Sequence, residues 1–113
     1  MNKTMENKSY QFYQGDISIV EIDPKYIDKL NFKPLKKVLI AEGEITGHKH
    51  ILTAEPEAMV EISQNEKGFY LKVNSGQAVL THNKHAIQTI PQGVFFIGRQ
   101  VEYNELGERR VMD

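Results

Sequence analysis

The sequence predicts an all-β domain, a small antiparallel barrel or sandwich. Three observations carry that prediction. Apolar residues recur near period two in short runs. Turn residues separate the runs about every 8–12 positions. No segment of helical period is long enough to build a βαβ unit.

The elements follow in order. Residues 1–9 (MNKTMENKS) are polar and read as a flexible arm. Tyr10, Phe12, Ile17, Ile19 and Ile22 recur at strand spacing, with a break at Gly15-Asp16. Asp23-Pro24 ends that stretch, because proline cannot extend a ladder. Tyr26, Ile27 and Leu30 predict a short helical turn within 25–34. The run Val38-Leu39-Ile40-Ala41, bounded by charge, reads as a buried strand. Residues 58–63 and 69–73 predict a hairpin across Asn65-Glu66-Lys67-Gly68. Asn74-Ser75-Gly76 is a further turn. Ala78-Val79-Leu80, then Ala86 to Ile90, then Val94 to Ile97 follow as strands, the last after a Pro91-Gln92-Gly93 turn. Gln100 to Tyr103 predicts a final strand, and residues 105–113 a charged tail. Phe69, Phe95, Phe96 and Tyr103 sit at strand positions and are expected to fill the core rather than stack on bases. The organisation expected is one β domain over 10–104.

Composition narrows the chemistry. The 113 residues suffice for one hydrophobic core. The absence of cysteine excludes disulfides, thiolate metal sites and cysteine nucleophiles. A formal net charge of −1 gives no global attraction to nucleic acid, so the lysines of 25–37 and Arg99, Arg109 and Arg110 read as a solvated face. No apolar run approaches the roughly 18 residues of a membrane span. The polar N-terminus has no apolar core of a secretory signal, so a cytoplasmic location with no membrane partner is expected.

The four histidines fall in two pairs, His48-x-His50 and His82-x-x-His85. Residues i and i+2 of a strand share a face, so His48 and His50 can converge. His82 and His85 flank Asn83-Lys84; as a two-residue hairpin loop this would make them a cross-strand pair. Lysine suits the second loop position poorly, since that position wants positive φ. Two such pairs facing each other would make a four-nitrogen site. Imidazole is the commonest metal ligand, and zinc, iron and nickel all accept it. Zinc is the metal expected, ligated by His48, His50, His82 and His85 and activating water. Glu42, Glu44 and Glu55 are the nearby carboxylates for a fourth ligand or general base. The same imidazoles with Lys49 or Lys84 also suit metal-free cleavage of RNA by acid–base chemistry. Lys49 should turn away from His48 and His50 on a regular strand.

Two resemblances attach to these residues. His48-Lys49-His50 followed by Glu55, and later Pro91-Gln92-Gly93, resemble the two motifs of cupins, small β-barrels that hold a metal on an H-x-H, a glutamate and a later histidine. The later histidine would fall at Phe96, so the resemblance implies that His82 or His85 takes its place. More of the chain resembles a family of small bacterial and phage proteins with no assigned activity. The residues are Gln14-Gly15-Asp16, Gly43-Glu44-Ile45-Thr46-Gly47-His48-Lys49-His50, Leu80-Thr81-His82-Asn83-Lys84-His85, and Arg99-Gln100-Val101-Glu102-Tyr103. That resemblance implies one compact domain that groups these motifs. It adds Arg99, Gln100, Glu102 and Tyr103 as candidates, with Arg99 to grip a phosphate or carboxylate and Tyr103 to donate a proton. The expectations are metal-dependent hydrolysis of a phosphoester or similar polar substrate, with Glu44, Lys49, Arg99 and Tyr103 assisting; a metal-independent ribonuclease; or a non-enzymatic module binding a nucleotide or a protein. Open edge strands make a homodimer a further expectation.

Overall fold

A computed structural model describes residues 10–43 and 46–99, and the backbone alone of 101–104 and 107–110. The expected flexible arm of 1–9 lies outside the described residues. The fold is all-β, as the sequence predicts. Twelve strands are described: β1 Gln11–Gln14, β2 Ile17–Glu21, β3 Lys33–Pro34, β4 Lys37–Glu42, β5 Lys49–Ala54, β6 Met59–Asn65, β7 Gly68–Ser75, β8 Ala78–Thr81, β9 Gln88–Ile90, β10 Gly93–Arg99, β11 Val101–Asn104 and β12 Gly107–Arg110. One sheet runs β1-β2-β10-β7-β6-β3 and a second β4-β5-β8-β9, with every pairing antiparallel. A single turn of 3-10 helix, Pro24–Ile27, follows β2, its first amide accepted by Asp23 (Lys25 N to Oδ1, 3.0 Å). Among the described residues no helix is long and apolar enough to cross a membrane.

The core lies between the two sheets. Ile17, Ile19, Val60, Ile62, Leu71, Val73, Phe95 and Ile97 come from the first; Leu52, Ala78, Leu80 and Ile90 come from the second. Alternation produces this directly. Phe69, Leu71 and Val73 are buried along β7, while Tyr70 and Lys72 between them are partly open. The expected β6–β7 hairpin forms with Val60 opposite Val73 and Ile62 opposite Leu71. Asn65 Oδ1 accepts the Lys67 amide at 2.9 Å and closes its turn.

Five elements differ from expectation. The run Val38 to Ala41 forms β4 but is not a buried strand, since Leu39 is 46% exposed and its neighbours are half-buried, as an outer strand of its sheet allows. The strand expected over Ala86 to Ile90 is shortened to β9, leaving Ala86 and Ile87 exposed in the loop before it. The break at Gly15-Asp16 is a hairpin turn, in which Gln14 faces Ile17 across two loop residues and Gly15 has φ 60°. A glycine of positive φ at the first loop position matches the right-handed twist of the flanking strands. The charged tail contains β12, which pairs with β11. Phe69 and Phe95 are in the core, but Phe96 is on the outer face, against Tyr70 at 5.0 Å between ring centroids. Its ring spans Gly68 and Gly98, where an added Cβ would come within 2.9 Å of it. A ring laid over two strand glycines covers backbone they leave bare. The side chain of Tyr103 lies outside the described residues.

Gly68 gives the sharpest test of this packing. Its φ is 152°, and a Cβ there would stand 2.6 Å from the Ile97 carbonyl oxygen. That neighbour is backbone and cannot rotate aside. Gly68→Ala is expected to lower unfolding free energy by about 2 kcal/mol, measured by urea denaturation.

Candidate functional site

The four histidines meet at one end of the sandwich. Four inner-facing rows of the core turn polar there. Phe12 on β1 is followed two residues later by Gln14, Ile97 on β10 by Arg99, and Leu80 on β8 by His82. On β5, His50 precedes Leu52 by two residues. A strand's period of two carries each of these side chains into the same layer as the apolar residue before or after it.

His50 is wholly buried. Its Nδ1 lies 2.9 Å from Gln14 Oε1. The amide of Gln14 is itself fixed, because its Nε2 donates to the Leu80 carbonyl at 2.8 Å and the Ala86 carbonyl at 2.9 Å. Reversing the amide would set oxygen against two oxygens. Oε1 must therefore accept, and His50 Nδ1 must carry a proton. Across the ring, Nε2 is 3.5 Å from Asp16 Oδ1. Asp16 sits in the β1–β2 turn with 2% of its side chain exposed. Neither of its carboxylate oxygens has hydrogen-bond geometry to a donor among the described residues; charge holds it, from Arg99 Nη1 at 3.1 Å and from the His50 ring when protonated. Arg99 Nη2 reaches across to the other sheet and donates to the Glu42 carbonyl at 3.1 Å.

The second pair is built differently from the expected two-residue hairpin. β8 ends at Thr81 and β9 begins at Gln88, so His82 and His85 lie in a six-residue loop. No described residue but glycine and Glu57 takes positive φ, and Lys84 is no exception. His82 organises the loop itself. Its Nδ1 accepts the amides of Lys84 at 3.0 Å and His85 at 3.2 Å. A nitrogen that accepts carries no proton, so the ring is neutral and its proton is on Nε2. Asn83 ties the loop to β5, its Oδ1 accepting the Lys49 amide at 2.8 Å. His48 enters from the β4–β5 connection, where Gly47 has φ 75° and Thr46 Oγ1 accepts the His48 amide at 3.1 Å.

His82 stands in the middle of the cluster. Its ring centroid is 4.2 Å from His50, 4.5 Å from His85 and 5.5 Å from His48. His50 and His85 are 6.5 Å apart. The two sequence pairs thus converge, but around an imidazole. One ion held by all four rings needs a lone pair from His82, and its single lone pair faces two backbone amides. As folded, the donor set does not fit that ion. Among the described residues, no three histidine, aspartate or glutamate side chains are placed to share a metal.

The remaining candidates separate. Glu44 and Gln100 lie outside the described residues, as do the side chains of Glu102 and Tyr103. Glu55, the carboxylate of the cupin-like pattern, follows the far end of β5 and accepts from Gln77 Nε2 at 2.9 Å. It does not join the cluster. Glu42 is exposed and contributes its carbonyl. Lys49 is exposed on the face of β5 opposite to His50, as its parity requires. Lys84 is exposed in the loop. Gln14 and Asp16 are the site residues that spacing of histidines alone misses. The available signal was a polar residue two places beyond a core residue, at a glycine turn.

A family model described as a domain of unknown function, DUF8820, matches residues 13–100. The chain belongs to that family. The matched DUF8820 span holds Gln14, Asp16, all four histidines and Arg99, so the whole network lies within the domain. No curated protein and no solved structure matches the chain.

Gln14 carries the largest share of this arrangement. Gln14→Met keeps the volume and removes three hydrogen bonds, leaving two carbonyls and the His50 ring to be re-satisfied. The expected loss is about 2–4 kcal/mol of stability, read from thermal and urea unfolding.

Proposed function

We propose that the histidine cluster is an acid–base site that cleaves a phosphoester, with RNA as the substrate class, and that it needs no resident metal. The observation carrying this reading is the bond pattern of His82: its lone pair holds the loop amides, which makes the central ring a scaffold. His50 is a scaffold as well, being wholly buried. His48, half-buried, and His85, exposed, are the rings that a substrate reaches. One of them takes the proton of a ribose hydroxyl as its oxygen attacks phosphorus. The other gives a proton to the departing oxygen. Zinc held by the histidines is a second reading, favoured by the Gln14 contact that fixes His50 by its Nδ1, as metal-bound imidazoles are commonly fixed. It requires His82 to release both amides.

The test uses the full chain, stripped with a chelator and incubated with a fluorogenic ribo-oligonucleotide. Cleavage is expected without added metal. His48→Ala and His85→Ala are each expected to reduce it by about 100-fold or more. Cleavage that returns only with zinc supports the second reading. No cleavage in either condition, with the parent chain folded, rejects both.

A further inference from the structure

We infer that Arg99 is the receptor for an anionic group of the ligand, a phosphate in chemical class, and that Asp16 is the residue that positions it. The inference deepens the phosphoester reading above and rests on it for the choice of anion. Arg99 lies on β10 opposite Ile17, directly beside the Gly15-Asp16 turn. Its guanidinium is anchored twice, by a buried carboxylate of the same sheet and a backbone carbonyl of the other. One N–H is thus committed to the carbonyl while Nη1 pairs with the carboxylate by charge, and the side chain remains 22% exposed. A guanidinium has five N–H donors in a rigid fork, so further donors remain for a planar or tetrahedral oxyanion. An arginine already ordered by two anchors loses little freedom when it binds.

Asp16 gives the independent observation. Burying a carboxylate is costly, and such a group is poor evidence for stability. Here it is almost fully enclosed, without a hydrogen-bond donor among the described residues, and aimed between Arg99 and the His50 ring. Its position has a use if its task is orientation. It sets the fork of Arg99 at the edge of the imidazole cluster, one carboxylate away from His50. An anion seated on Arg99 then lies at the His50 edge of the imidazole cluster.

Inorganic phosphate is the probe, titrated into the full chain with imidazole and guanidinium resonances followed by NMR. The parent is expected to saturate. Arg99→Lys keeps the charge and loses the fork, and should weaken binding by about fivefold or more. Asp16→Asn is the discriminating variant. Simple electrostatics predicts that removing a negative charge tightens phosphate binding. A positioning role predicts that it weakens binding, again by about fivefold. Tighter binding by Asp16→Asn, undiminished binding by Arg99→Lys, or no saturation of the parent would each overturn the inference. Because Arg99→Lys leaves the buried carboxylate with a cation, it stays informative where Asp16→Asn does not fold. Phosphate binding is read without turnover, so a chain that binds phosphate through Arg99 but leaves RNA intact contradicts only the proposed activity.

Discussion

One side-chain amide joins the two sheets where the core gives way to polar chemistry. Gln14, at the tip of β1, donates to carbonyls at the end of β8 and in the loop beyond it, and accepts from His50 on β5. Three segments of the second sheet are thereby referred to one residue of the first. Two features of this end depend on that link. It holds the base of the loop that carries His82 and His85, and it presents the buried ring of His50 to Asp16. A neutral amide can do this because it is both donor and acceptor; a carboxylate in its place would face two carbonyl oxygens.

The energetics of the sandwich's middle and of its histidine end are opposite. The middle is hydrocarbon, with Leu52, Leu71, Leu80, Phe95 and Ile97 fully enclosed, and area burial stabilises it. The histidine end encloses His50, Asp16 and Gln14 as tightly. Those side chains cost desolvation that a hydrophobic replacement would not incur. The network offsets part of it through hydrogen bonds and charge pairs, and the remainder is tolerated for geometry. In the same way His82 spends its lone pair on backbone amides, a local capping role more usual for asparagine or aspartate. A ring used so is held in one tautomer and one place.

Much of this was legible in the amino-acid order, for identifiable reasons. Strand alternation is a local signal, so the β6–β7 hairpin and the buried rows of β7 and β10 were readable. The convergence of the two histidine pairs is expected from the parity of His48 and His50 and from a hairpin at Asn83-Lys84; the rings do meet, but through the wider 82–87 loop. The two-residue turn at Asn83-Lys84 was not formed. Lysine resists the positive φ that such a turn needs, and His82 supplies amide acceptance that favours a wider loop. Gln14 and Asp16 stand in the sequence as part of a short motif, but their roles are not legible there because their partners are over 30 residues away. Phe96 was read as core because an aromatic on a strand usually is; two glycines, Gly68 and Gly98, gave it a surface to cover instead.

The central claim is that the fold sets two touching imidazoles to opposite uses of Nδ1, a donor in His50 and an acceptor in His82. Long-range nitrogen–proton correlation spectra of the imidazoles test it directly, in the metal-free chain. The account predicts a protonated-type Nδ1 for His50 and an unprotonated, acceptor-type Nδ1 for His82. The same Nδ1 state at both rings, or fast averaging at either Nδ1, would contradict it.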